Sequence, residues 1–172
     1  ASAASLSELS LEQLMIVQVV STSRRGEALS GTASSMFVIT QDDIRRSGAT
    51  SIPEILRLAP NLQVARRSTF EYAISARGFN NVASNKLLVM IDYRTIYTPL
   101  FSGVFWEMHD VVLEDLDRIE VISGPGATMW GSNAVNGVIN IVTRSSTRTQ
   151  GTLLTADVGS HERGFTSRVG GR

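Results

Sequence analysis

The spacing of apolar residues predicts a chain of short strands with a few short helices between them. Apolar and β-branched runs predict strands at 16–20, Ser35–Thr40, 62–65, Tyr72–Ala76, 86–92, 118–122 and Gly137–Thr143. The run at 86–92 is apolar without a break, which is typical of a strand covered on both faces. It is therefore the best candidate for a central strand. The run at 16–20 has no evident hairpin partner nearby.

Capping signals predict two helices. Thr40 is followed three residues later by Asp43, which predicts a capping box for a helix over Gln41–Ser47 that stops at Gly48. The SIPE sequence that starts at Ser51 predicts a second capping box, with one proline in the first turn and another after the helix ends. Together with the strands, these helices predict a mixed α/β domain.

Two stretches between the strands are predicted to be exposed loops. Residues 66–71 form a polar tip between two strands, whereas 95–106 is aromatic, uncharged and interrupted by Pro99 and Gly103. Rings on an irregular segment of this kind are available to a ligand or a partner.

The sequence becomes more regular in its alternation after Arg144. Over 152–158 one face would carry Leu154, Ala156 and Val158, and 165–169 alternates again. This period fits the strands of an outer-membrane barrel and a soluble hairpin equally well.

The 23 residues from Val121 to Thr143 contain no charge, and three interpretations compete for them. Their length suits a transmembrane helix, but four glycines, a proline and three asparagines do not. A phosphate-binding loop would need lysine where Ser132 stands, and a dinucleotide fingerprint would need glycine where Met129 stands. The favoured interpretation is a strand, a turn at Gly124-Pro-Gly and a returning strand.

Composition and charge argue against several functions. Sixteen basic and sixteen acidic residues cancel, which argues against nucleic acid as a partner. The chain lacks cysteine, and its two histidines, His109 and His161, are far apart, so no metal site is predicted. No nucleophile is paired with a histidine motif, and the acidic pairs start helices. We therefore predict neither an enzyme nor a cofactor.

Five segments in succession carry a family resemblance. They are VVSTSRR from Val19, FVITQDDIRRSGATSIPEILRLAPNLQVAR from Phe37, SARGF from Ser75, LLVMIDYR from Leu87 and LDRIEVISGPGATMWGSNAVNGVINIVT from Leu116. Over about 15–144 the chain thereby resembles the N-terminal plug domain of TonB-dependent outer-membrane receptors.

The resemblance implies an α/β (α+β) fold: a small mixed sheet with short helices and long loops, followed by the start of a transmembrane β-barrel. It implies a flexible lead over 1–14, the TonB box and a linker over 15–25, the plug over 26–144, and a linker with the first barrel strands over 145–172. The rest of the barrel is missing, so the chain is expected to be a fragment or an isolated plug.

The resemblance implies a non-enzymatic gate in the outer membrane. The plug closes its own barrel and contacts a ligand, which would be a ferric siderophore, haem or cobalamin, and most simply an iron complex. It then relays binding to TonB, the periplasmic partner, for import driven by the proton gradient. Aromatic and arginine side chains in the ligand loops would suit an anionic iron chelate. The implied ligand contacts are Arg66, Arg67, Ser68, Thr69, Phe70, Tyr97, Leu100, Phe101, Phe105 and Trp106.

The resemblance also implies a TonB box and charges that face the barrel. The TonB box would pair with TonB by adding a strand, and it consists of Ile16, Val17, Gln18, Val19, Val20, Ser21 and Thr22. The implied plug–barrel contacts are Arg77, Arg118 and Glu120, whereas charges on a strand would otherwise be solvated. Ser123 stands where the family usually has arginine, and Tyr93 where it usually has glycine. A soluble periplasmic binding or adaptor module that reuses the fold is the alternative.

Overall fold

The computed structural model describes residues 18–19, 27–28, 35–78, 86–98, 100, 103–109, 111–124, 130–131, 133–159 and 163–171. Within these ranges, strands β1 to β11 are Gln18–Val19, Glu27–Ala28, Ser35–Thr40, Leu62–Arg66, Tyr72–Ala76, Leu87–Ile91, Arg94–Thr95, Leu116–Ser123, Gly137–Thr143, Gly151–Val158 and Arg163–Gly170. Helices α1 and α2 are Gln41–Ser47 and Ile52–Leu56. Short 3₁₀ turns occupy Trp106–Met108, Leu113–Asp115 and Ser146–Arg148. The mixed α/β class predicted from the sequence is confirmed.

A five-stranded sheet in the order β3-β8-β9-β6-β7 forms the centre of the domain. Strand β8 is antiparallel to both β3 and β9, whereas β9 is parallel to β6. The sequence favours 86–92 as the central strand, but the middle place in the sheet belongs to β9. Strand β6, which contains most of 86–92, is the neighbour of β9. The reason is that β6 is bordered on its other side by only the two-residue strand β7. Its buried residues are nevertheless covered on both faces, as predicted.

Cross-strand rows divide the sheet into two different faces. One face carries rows of isoleucine and other apolar residues that belong to the main core with the helices; its two best examples are Ile39–Ile119–Ile141–Ile91 and Phe37–Val121–Ile139–Val89. The opposite face has a smaller apolar cluster around Leu88, Met90, Ile122 and Val138. Its remaining positions include the buried polar residues Glu120 and Asn140. Burial on both faces explains why β6 consists of apolar residues alone.

Strands β4 and β5 form a separate antiparallel ribbon that Asn136 ties to the central sheet. The Asn136 side-chain amide donates to the carbonyl of Ala76, at 3.0 Å. Its backbone N–H donates to the carbonyl of Lys86, and its own carbonyl accepts from the N–H of Gly124. One residue therefore satisfies backbone groups from three different segments.

The first predicted helix is observed with the predicted boundaries. Thr40 and Asp43 form the reciprocal capping box, and Gly48 ends α1 in the left-handed conformation at φ 66°. The prediction of a second capping box is wrong, because the Ser51 side chain makes no capping hydrogen bond. The carboxylate of Glu54, which would complete that box, instead accepts hydrogen bonds from the side chains of Tyr72 and Arg57.

The structure also bears on the predicted strand at 16–20 and on the uncharged stretch from Val121 to Thr143. Gln18–Val19 pairs antiparallel with Glu27–Ala28, so this part of the first predicted strand does have a partner in its own chain. The uncharged stretch contains strands β8 and β9, which pair with each other, whereas residues 125–129 and 132 of the predicted turn lie outside the described residues. The lead over 1–14 lies outside them too. Among the described helices, none has the length and apolarity needed to cross a membrane.

The last two strands form an antiparallel hairpin whose faces differ. Direct pairing of Ala156 with Phe165 and of Thr155 with Thr166 sorts the side chains into an apolar and a polar set. The apolar set is exposed and includes Leu154, Val158, Phe165 and Val169. The polar face is turned toward the rest of the domain, since Thr155, Asp157 and Thr166 line a depression together with α1 residues.

An alanine at Gly137 should strongly destabilise the central sheet. A Cβ atom there would lie 2.5 Å from the backbone carbonyl oxygen of Ile122, and backbone atoms of two paired strands cannot move aside easily. We expect Gly137→Ala to lower the free energy of unfolding by about 1–3 kcal/mol or more in denaturant titrations. Gly171→Ala is the matched control, because nothing lies within 4 Å of the place where its Cβ would stand. Equal unfolding midpoints for both variants would contradict the close approach of β8 and β9.

Candidate functional site

The first loop predicted to contact a ligand meets the end of the second loop, whereas Tyr97, Leu100 and Phe105 of the second loop do not line the shared depression. We call residues 66–71 and 97–106 the apical loops. Arg66, Thr69 and Phe70 of the first loop and Trp106 of the second line a single depression of about 280 Å³. The loops are about 30 residues apart in the sequence, so only the fold brings them together. Phe101 lies outside the described residues.

Arg66 supports the first loop from within. Its Nε donates to the carbonyl of Ser68 at 3.1 Å, and its terminal nitrogen donates to the carbonyl of Thr69 at 2.7 Å. Its guanidinium carbon also lies 5.7 Å from the centre of the Tyr72 ring. A planar cation that binds two carbonyls and an aromatic face holds the loop in a defined shape.

The tip of the same loop closes on itself. Glu71 accepts at its carbonyl from the N–H groups of Arg67 and Ser68, and its own N–H donates to the Ser68 hydroxyl. The Arg67 guanidinium lies 3.8 Å from the Glu71 carboxylate, in an exposed ion pair. Phe70 remains outside this network, with its ring largely exposed.

Tyr72 connects the loop to helix α2 and was missed by the sequence analysis. Its hydroxyl donates to the Glu54 carboxylate at 2.9 Å. Burial raises the pKa of the Tyr72 hydroxyl, and the hydrogen bond to Glu54 raises it further. Glu107 and His109 also line the depression and were not predicted. Their nearness to Trp106 in the sequence was the available signal.

The second apical loop is held by a bridge between Thr98 and Gly103, with a hydrogen bond of 2.9 Å from the Thr98 N–H to the Gly103 carbonyl. Leu100, between them, is exposed. Trp106 is buried in the main core and only borders the depression, so it is less open than the sequence suggested. Tyr97 and Phe105 are half-buried.

Two of the three charges predicted to face the barrel are bound inside this domain. Glu120 is 0% exposed, and its carboxylate lies 2.7 Å from Nε of Arg118 and 3.4 Å from the side-chain amide of Asn140, which donates to it. Burial opposes the charge of Arg118, but the charge of Glu120 and hydrogen bonds to Glu120 and Asp117 outweigh it and raise the pKa of Arg118. A buried carboxylate requires such partners.

Tyr93 borders this buried charge pair. Asp92 and Tyr93 both have positive φ, at 48° and 64°, although glycine is favoured in this conformation. The Asp92 carboxylate accepts from the N–H and hydroxyl of Thr143, and the Tyr93 N–H donates to the Asn140 side chain. Burial raises the pKa of Tyr93, and the charge of Glu120 adds to this. Side-chain contacts therefore hold a turn that glycine would otherwise favour.

Arg77 differs from the other two predicted charges because it is exposed. Within the described part of the chain, no ion-pair partner is found for it. Its φ of 56° places it in a left-handed turn after β5, and its guanidinium lies beside Gly124, 3.8 Å from where a Cβ would stand. Ser123, the predicted departure from the family pattern, is the neighbouring residue.

The hairpin β10–β11 is joined to the domain by charges. Nε of Arg168 lies 2.8 Å from the Asp115 carboxylate, an ion-pair distance without hydrogen-bond alignment. A terminal nitrogen of Arg168 donates to the carbonyl of Thr149. Arg148 approaches Asp117 at 3.3 Å. Across the described residues, no group of three metal-binding side chains is found.

Removing Arg118 should deprive the buried Glu120 carboxylate of the guanidinium group that lies 2.7 Å from it. We expect Arg118→Met to lower the free energy of unfolding by about 3–5 kcal/mol in denaturant titrations. The double variant Arg118→Met/Glu120→Leu should recover most of this loss, because it removes the carboxylate as well. The control is Arg46→Met, since Arg46 pairs with Asp42 on the surface and such pairs contribute less than about 1 kcal/mol. Similar losses in the single and double variants would contradict this account.

Comparison with known proteins identifies the fold. A family model described as the TonB-dependent receptor plug domain matches residues 28–138. The alcaligin outer-membrane receptor FauA from Bordetella pertussis superposes with a TM-score of 0.64 at 24% identity, covering 84% of this chain and 24% of that one. The ferric-catecholate import receptor Fiu from E. coli K12 gives 0.57 at 25% identity, covering 82% and 19%.

Curated relatives give the same result at the sequence level. The vitamin B12 transporter BtuB is 30% identical over 142 residues in Vibrio cholerae and 31% identical over 144 in Vibrio vulnificus. The chain spans 23% of the length of each of them. These relatives are transporters and receptors, which confirms the prediction that the chain is not an enzyme. Since the plug-domain model also matches more than half of its 172 residues, the chain belongs to the family of TonB-dependent receptor plug domains.

Proposed function

We propose that this plug domain closes the barrel of an outer-membrane transporter, contacts a metal complex through the apical loops and relays binding to TonB for import driven by the proton gradient. The observation that carries the proposal is that the first apical loop and Trp106, at the end of the second, line one depression. A binding surface built from loops on a rigid sheet is the usual arrangement for a ligand site. The cargo would be a ferric siderophore, haem or cobalamin; the relatives' names state vitamin B12 and ferric catecholate among their ligands, and haem rests on the family resemblance.

The hairpin supports a place in the outer membrane. The apolar set on β10 and β11 is exposed, while the polar face with Arg168 is turned toward the plug. A strand pair with lipid on one side and a plug on the other requires this division. We therefore propose that the plug extends over 26–144, that 145–172 begins the barrel, and that the TonB box faces the periplasm.

Arg77 is our candidate for direct contact with the barrel wall. It is exposed, and no ion pair within the described ranges engages it. Arg118 and Glu120 are bound to each other, so they would support the plug surface rather than meet a barrel charge. A barrel carboxylate opposite Arg77 would help to retain the plug.

The proposed TonB box, over 15–25 with its linker, would act by exchanging one strand partner for another. Of its seven residues, Gln18 and Val19 are described, and their backbone pairs with Glu27–Ala28. Within the described residues this pairing covers two positions on each strand, and an incoming TonB strand would compete for the same backbone groups. Ligand binding can drive this exchange only if the two states of the segment differ in ligand affinity.

A nutrient panel tests the transport proposal. A strain that lacks the full-length receptor should lose growth on one source among ferric siderophores, haem and cobalamin, because uptake through the outer membrane would stop. Growth should return when the intact gene is supplied. Unchanged growth on every source would count against transport and favour the adaptor alternative.

Two proline variants test the TonB box. Val19→Pro removes an N–H that an added strand needs, so we expect the affinity for the TonB C-terminal domain to fall by about tenfold or more. Glu27→Pro disrupts the internal pairing but leaves the box intact, so TonB binding should be kept or strengthened. Calorimetric titration of the full-length receptor measures both affinities. Equal effects of the two substitutions would mean that the box lies elsewhere.

A further inference from the structure

Beside the exposed polar residues Arg66, Arg67, Thr69 and Glu107, the ligand-facing surface exposes three large apolar side chains. Phe70 is 62% exposed at the tip of the first apical loop, and Leu100 is 79% exposed within the bridged second loop. Met108, in the 3₁₀ turn that contains Trp106, is 75% exposed. An apolar face of a bound ligand would remove these side chains from water, which is favourable.

The cations of this surface are already engaged. The guanidinium group of Arg66 donates to two carbonyls of its own loop and covers the Tyr72 ring. The guanidinium group of Arg67 lies 3.8 Å from the Glu71 carboxylate. If Arg66 turned toward an external anion, the loop would lose two hydrogen bonds that hold its shape, whereas the exposed Arg67–Glu71 pair is a weaker restraint. A bound anion would therefore gain less than the count of arginines suggests.

Among the described residues of the depression and the first apical loop, the formal charges also cancel. Arg66 and Arg67 are balanced by Glu71 and by Glu107, and Glu107 lines the depression directly. A multiply charged anion placed here would lose part of its hydration beside a carboxylate. A neutral complex would lose little hydration and would bury the exposed apolar side chains.

We infer that the plug side of the ligand site selects an electrically neutral metal complex with an apolar or aromatic face, in preference to a multiply charged anionic chelate. This rests on the proposed function and narrows its ligand class. It departs from the expectation, drawn from the sequence, of an anionic iron chelate. That expectation counted Arg66 and Arg67 as available, whereas both have partners within the loop.

Equilibrium binding to the purified full-length receptor tests the inference. The probes are two neutral complexes, a ferric tris(hydroxamate) and cyanocobalamin, and one multiply charged anion, a ferric tris(catecholate). We expect a neutral complex to bind at least about tenfold more tightly than the anion, with little dependence on salt. We also expect Glu107→Lys to improve binding of the anion, since it replaces the carboxylate in the depression with a cation.

Three variants probe the apolar contacts. Phe70→Ser and Leu100→Ser should each weaken binding of the neutral complex by about tenfold, because each removes a large apolar group from the contact. Val135→Ser is the matched control. Val135 is an exposed apolar residue outside the apical loops, so the affinity for the neutral complex should not change.

The possible outcomes separate the two proposals. Tighter binding of the anion, or unchanged affinity in both loop variants, would overturn the inference and leave the transport proposal intact. If none of the three complexes binds the receptor, the inference fails, whereas the transport proposal is decided separately by growth on the nutrient panel, which also includes haem.

Discussion

The pairing of β8 with β9 is the interaction on which the rest of the domain depends. These strands occupy the middle of the sheet, and each is bonded to a second neighbour. Gly137 allows their backbones to approach where a side chain would collide with Ile122. The isoleucine row that crosses them supports the main core, while Val138 and Ile122 support the smaller cluster on the opposite face. Both hydrophobic clusters therefore rely on this pairing.

The same two strands carry the polar centre of the fold. Glu120 and Asn140 are directly opposite each other, and neither is reached by solvent. Arg118 makes the burial of the carboxylate tolerable and also binds Asp117, which in turn approaches Arg148 of the linker. Arg168 of the hairpin meets Asp115 just before β8 begins. One strand thus connects the buried centre of the plug with the hairpin that follows it.

The ligand-facing side follows a different principle. Its loops are fixed by their own hydrogen bonds, so the guanidinium group of Arg66 serves the loop conformation before it serves a ligand, and that of Arg67 lies beside the Glu71 carboxylate. The exposed side chains of these loops include the large apolar groups of Phe70 and Leu100. A transporter that recognises its cargo partly by shape and apolar contact would discriminate among complexes by net charge, since an anion would find no unengaged cation in these loops.

The sequence by itself determined the local elements. The capping box at Thr40, the left-handed stop at Gly48 and the boundaries of Ser35–Thr40, Tyr72–Ala76 and Gly137–Thr143 depend on neighbouring residues, and the family resemblance follows from their order. Only the tertiary structure decided which face of each strand is buried and what each charge meets. Glu120 has the pattern of a solvated strand residue, but strand β9 places Asn140 against it. Partners of this kind are far apart in sequence, so local periodicity does not encode them.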